Sequence, residues 1–317
     1  MRFRPAAYQA AAIVVALSLA WVLVTNVLDN LAARNIASGF AFLGREAGFE
    51  IGESALLAYS AADSYLKALV VGLTNTFRVA LVGVALATAL GTAIGLCRLS
   101  NNLLLKSLCT LYVEFIRNVP LLVQLFFWYA VLAELLPPAR EALQPLPGVF
   151  LSSRGFYIPI PHFSLEGFAW DTPSLNGFNF TGGGHLSPEF ATLLIGLAIY
   201  TGAFIAEIVR AGVLAVDRGQ VDAARALGLP RGATLRHVVL PQALRLIVPP
   251  LTSQYLNLIK NSSLAVAIGY PDFVAIVNTT INQTGQAIEG VAIIMAAYLT
   301  VSLAIAALMN WYNARLK

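Results

Sequence analysis

The residue types able to do chemistry in this chain are few and gather in three places. The first is a polar stretch inside an apolar run: Gln254, Asn257, Lys260, Asn261 and Ser262, with Tyr255 and Ser263 beside them. Gln254, Asn257 and Asn261 follow helical spacing and share one face, on which Leu258 is the apolar exception. Amides, hydroxyls and one amine can pass a polar solute along a water-filled path, or they can hydrogen-bond neighbouring helices, and the spacing serves both. Gln124, in an earlier apolar run, would face the same path. The second place is a pair of charge couples, Glu114 with Arg117 and Glu207 with Arg210, each three residues apart. A charge at the centre of a bilayer costs about 2.5 to 3.5 kcal/mol, so mutual neutralisation on one helical face, a structural tie, is the simplest role for both.

The third place is a polar interruption between two apolar runs, from Gly219 to Pro241. It carries helix formers, a Gly228-Leu229-Pro230 break and a second helical run that should stop at Pro241. Val221, Ala224 and Leu227/Gly228 fall on one face of the first helix, and Gln220, Asp222 and Arg225 on another. Ala223 and Ala224 keep that helix narrow enough to lie in a groove on a partner. An amphipathic connector resting on lipid headgroups is the alternative, but it would not require two helices and a break.

Catalysis finds no support. There is no G-x-x-x-x-G-K-[ST] phosphate loop, no H-E-x-x-H and no G-x-S-x-G. His162, His185 and His237 are scattered and cannot share a metal, and Cys97 and Cys109 fit neither a metal spacing nor a disulfide framework. The expectation is therefore that the chain is not an enzyme and binds no cofactor, so that any ATP and magnesium it depends on sit on another subunit.

The elements that must position these residues are membrane helices. Hydrophobic residues make up 58% of the 317 and charged residues 11%, against about 25% charge in soluble domains. The net charge of +4 is spread beside apolar runs, not gathered in a patch, which excludes nucleic acid as a partner. The apolar windows, each about 20 residues, predict an all-α integral membrane protein with about six spans, surrounded by membrane lipid. Span one, Ala10 to Leu28, is retained as an extra N-terminal helix within 1–30, and an outer loop covers 31–71. Lys67 to Arg78 reads as a surface-lying or entering helix before span two, Val79 to Leu96, whose Gly83, Ala87, Gly91 and Gly95 put small residues on one face for close packing. After a basic loop, Arg98 to Lys106, span three is expected from Leu111 to Leu136. Residues 139–188 show no helical period and read as a long outer loop. Span four, Phe190 to Val216, leads to the hairpin, 217–245. Span five runs from beyond Pro250 to about Ile268, Gly269 to Gly285 looks too polar to cross, and span six is Ile288 to Met309. Twelve basic residues fall on the hairpin side and six on the other, so the hairpin and both termini are expected in the cytoplasm.

Asp222-Ala223-Ala224, Gly228, Val238, Leu240 and Pro241 resemble, position by position, the EAA loop of bacterial ABC importer permeases, with Asp for the usual Glu and Val for Ile. Glu114 to Gln124, Ala206 to Arg210 and Lys260 to Leu264 resemble the polar amino acid branch, the histidine, glutamine and general L-amino-acid permeases. The resemblance implies a type I importer permease fold over 72–309 and a permease subunit of the bacterial inner membrane. It further implies a cytoplasmic ATPase dimer docked on Gln220, Asp222, Ala223, Ala224, Gly228, Leu240 and Pro241, a second permease subunit, and a periplasmic amino-acid-binding protein. An ion-coupled secondary transporter, with Glu114, Glu207 or Lys260 carrying protons, is the rival expectation, and it leaves the hairpin unexplained.

Overall fold

In the computed structural model the described residues are 3–33, 38–54, 56–164, 167–177 and 179–315. Four of their helices are long and apolar enough to cross a membrane: the stretch Tyr8–Val27 of α1 (Phe3–Ala33), α2 (Tyr65–Cys97), α5 (Pro188–Leu214) and α10 (Ala287–Arg315). Two further crossings are bent, so six spans result when each bent pair counts once.

The helices correct the expected boundaries in three places. The third apolar run is two helices, α3 (Leu103–Asn118) and α4 (Leu121–Glu134), set at 106°. Pro120 lacks an N–H and drives Val119 into extended backbone (φ −98°, ψ 128°), so the helix must end there. The fifth span is broken too. Helix α8 (Leu240–Asn261) passes into a 3-10 stretch, Ser262–Ile268, and then, after Gly269 turns the chain left-handed at φ 82°, into α9 (Phe273–Thr284) at a 52° bend. Residues 269–285 are thus the second limb of that span. Their polarity is tolerated because α9 packs on α2 and on the loop after α1, burying Phe273, Ile276 and Val277. Lys67 to Arg78 is no separate surface helix. It continues without interruption into α2, which Ser64 caps by accepting from the Lys67 N–H.

The outer regions are more ordered than their composition suggests. Residues 38–54 and 56–64 fold over the start of α2, with Phe42 and Ala47 fully buried. Glu53 binds Arg78 at 3.0 Å, and the Asn75 amide donates to the carbonyls of Glu53 and Pro271, tying loop, α2 and the fifth-span break together. The described residues between 139 and 188 hold eight short strands: a four-stranded antiparallel sheet of β1 (Leu143–Leu146), β2 (Val149–Ser152), β3 (Gly155–Ile158) and β8 (Gly184–Leu186), plus the hairpins β4 (Ile160–Ser164) with β5 (Gly167–Asp171) and β6 (Ser174–Asn176) with β7 (Asn179–Thr181). A small sheet module therefore stands on an otherwise helical bundle.

The core lies between α2, α4, α5 and α8. The small-residue stripe of α2 is buried, as its register predicted, and the pairing is backbone on backbone: a Cβ on Gly95 would stand 2.7 Å from the Ala206 carbonyl oxygen of α5.

Candidate functional site

The hairpin emerges directly from the end of α5. Asp217 caps α6 (Arg218–Ala226) by accepting from the Gly219 N–H at 2.6 Å, and Gly228, at φ 77°, ends it in the left-handed conformation. Pro230 then leads into the one-turn α7 (Arg231–Thr234). The second run does not stop at Pro241, contrary to expectation. A five-residue π-helical stretch, Leu235–Val239, joins α7 to α8, and the Leu240 N–H reaches back five residues to the Leu235 carbonyl. The wider turn carries the chain past a proline that has no N–H to give, so hairpin and fifth span form one nearly continuous rod.

Burial sorts the hairpin's residues. Ala224 is 4% exposed and Val221 half-buried, so this edge faces the hairpin's own base. Gln220, Asp222, Ala223, Arg225, Gly228, Leu240 and Pro241 are exposed. Leu227, grouped with Ala224 by helical spacing, instead stands 82% exposed at the tip, because the helix is already unwinding there. Behind the hairpin, Gly212 of α5 admits Ile247 of α8 where any Cβ would collide, so the two helices that carry it are held in contact.

One turn above that contact, Glu207 accepts from Arg210 and from Arg98, each at 2.5 Å. The pairing of Glu207 with Arg210 agrees with the sequence reading. Arg98, at the end of α2, was not foreseen, and its side chain is only 7% exposed. Glu114 and Arg117 form no ion pair, which corrects the expected tie. Both are exposed at the α3–α4 bend, and Arg117 stacks 5.0 Å from the Phe204 ring centroid.

Of the polar stretch, Lys260 and Asn257 are exposed, Gln254 and Asn261 half-buried, and Ser262 buried with its hydroxyl on the Ile259 carbonyl. Tyr255 meets Thr88 of α2 at 2.9 Å, so part of the polar set does bond between helices. Gln124 is tied to the α3–α4 bend. Its buried amide donates to the carbonyls of Ile116 and Val119, satisfying groups that the Pro120 break leaves without helical partners. A hollow of about 310 Å³ lies between Glu207, Ile208 and Ala211 of α5 and Leu246 and Pro250 of α8. The described residues contain no cluster of ligands able to hold a metal ion.

Residues 83–317 match the family described as binding-protein-dependent transport system inner membrane component. The chain is 44% identical to the putative amino-acid ABC transporter permease protein YhdX of Escherichia coli (strain K12), over 98% of this chain and 93% of that one. It is 41% identical to the general L-amino acid transport system permease protein AapQ of Rhizobium johnstonii, over 99% and 92% of the two chains. Among solved structures, an amino acid ABC transporter crystallised with histidines aligns with a TM-score of 0.59 at 27% identity, covering 79% of this chain and 95% of that one. A methionine transporter in an inward-facing conformation, at 16% identity and a TM-score of 0.56, shares the fold.

Proposed function

Since the chain belongs to the binding-protein-dependent transport system inner membrane component family, we propose that it is the translocating permease subunit of an ATP-driven importer of polar or general L-amino acids. It is a multi-pass inner-membrane protein, and its termini and hairpin lie in the cytoplasm. Two ATPase subunits dock on the hairpin, hold the ATP and magnesium themselves, and move the hairpin as they close. A periplasmic binding protein delivers the amino acid to the opposite face, and a second permease, identical or related, completes the path. The chain makes and breaks no bond. It shifts between two packings of the bundle, and the ATPase supplies the differential binding that favours one.

The observation that carries this reading is the placement of an exposed hairpin on two helices in close contact, the Gly212 backbone of one against the Ile247 side chain of the other. Motion at Ala223 or Leu227 passes to α5 and α8 through the Gly212–Ile247 contact, and from α5 to α2 through the Gly95–Ala206 contact. Packed interiors transmit such displacement because they deform little. The ion-coupled rival has no comparable use for the hairpin.

Cross-linking tests the docking face. In a background lacking Cys97 and Cys109, a cysteine at exposed position 223 should cross-link to the ATPase in the assembled complex, and one at buried position 224 should not. The reverse pattern, or no cross-link from 223, 226 or 227, would remove the hairpin from the interface.

A further inference from the structure

We infer that Lys260 binds the α-carboxylate of the amino acid in transit, an assignment that rests on the import reading above. Five residues of α8 at spacings of four, three, four and three, Leu246, Pro250, Ser253, Asn257 and Lys260, are all exposed. That spacing keeps them on one face. The stripe starts in the hollow of about 310 Å³ beside Glu207 and Ala211, apolar at first, and becomes polar as it climbs to Lys260.

Depth comes from the neighbouring helix. Leu258, two residues before Lys260, reaches within 3.5 Å of where a Gly83 Cβ would stand, and Gly83 is the nineteenth of the 33 residues of α2. Lys260 thus stands near mid-depth of the bundle. An ammonium group there would be costly against hydrocarbon, so its exposed side faces water. No ion pair among the described residues includes Lys260, whereas Glu207 is committed to Arg98 and Arg210. The lysine therefore keeps its three donors for a visiting anion. Asn257, one position before Lys260 on the stripe, and Asn261, the next residue in the chain and half-buried, carry amide oxygens able to accept from an ammonium group. A cation with flanking amides, and no acid on the stripe, reads the backbone portion that all amino acids share and is indifferent to side-chain charge.

The experiment uses the whole complex, with its ATPase and binding protein, in proteoliposomes. The probes are those of radiolabelled L-glutamine, L-glutamate and L-arginine that the wild type imports. Lys260→Gln should lower initial uptake of each by about tenfold or more and to similar extents, the loss expected for one charge-assisted hydrogen bond. Lys260→Arg should recover most of it, with all subunits copurifying in wild-type amounts. Unchanged uptake in Lys260→Gln would overturn the assignment. So would a loss confined to L-glutamate, which would make Lys260 a side-chain reader, or a loss of copurification, which would make it a tie to the partner permease. A wild-type complex that imports none of the three with ATP would overturn the import reading itself.

Discussion

Gly91 of α2 stands against Gly202 of α5 so closely that a Cβ at residue 91 would lie 2.6 Å from the Gly202 carbonyl oxygen and 2.6 Å from Ile205 Cβ. Gly83, on the same stripe, would bring its Cβ only to 3.5 Å from a Leu258 methyl group. Gly91→Ala should therefore destabilise the protein by about 1–3 kcal/mol through overpacking, while Gly83→Ala should be neutral or stabilise by up to about 1 kcal/mol, since alanine favours a helix interior over glycine. Thermal unfolding in detergent measures both, and equal shifts would show that α2 and α5 are not locked at residue 91.

Removing the carboxylate of Glu207 leaves the nearly buried Arg98 without its counter-charge. Glu207→Gln should cost about 2 kcal/mol of stability. Adding Arg98→Gln should restore part of that loss, because both members of the pair are then neutral. Additive losses in the double variant would show that the two residues do not interact.

Much of this arrangement was legible in the sequence, and the rest was hidden for definite reasons. Straight spans such as α5 and α10 appear in any apolar window, and the glycine register of α2 announces a close neighbour. Broken spans do not appear as such, because a 20-residue average runs straight across Pro120, and because the polarity after Gly269 hides that 269–285 continues the fifth span. Helix α9 looked too polar to cross since its polarity is absorbed by protein, not lipid. The strands of 139–188 are three to five residues long, too short for alternation to register. Within the site, the hairpin's first helix and its Gly228 turn were readable from spacing, whereas the exposed stripe runs through Ser253, Asn257 and Lys260, not along the face of Gln254, Asn257 and Asn261 that spacing suggested. The Arg98–Glu207 bridge was not, because residues 109 positions apart carry no mutual signal. The role of Gln124 depends on a 106° bend that creates the carbonyls it satisfies.

That role gives the third prediction. Gln124→Leu should roughly preserve volume and raise hydrophobicity yet destabilise the protein by about 1–3 kcal/mol, since the carbonyls of Ile116 and Val119 lose their donor. Its amino acid preference in uptake assays should stay that of the wild type. A stable variant with altered preference would return Gln124 to the translocation path.

Gly228 separates backbone strain from steric conflict. A Cβ there meets nothing within 4 Å, so only its φ of 77° opposes a side chain. Asn tolerates that conformation and Val does not, the difference being about 1–2 kcal/mol. Gly228→Val should insert normally but retain less ATPase on copurification than Gly228→Asn. Equal retention would mean that the turn after α6 need not hold its shape for docking.

The most direct measurement is uptake of labelled amino acid into proteoliposomes that hold this chain with its ATPase, binding protein and second permease, with and without internal ATP and with and without a proton gradient. The account predicts uptake that requires ATP, ignores the gradient, and is lost when the exposed tip is altered by Leu227→Asp. Uptake that persists without ATP and collapses with the proton gradient would contradict it.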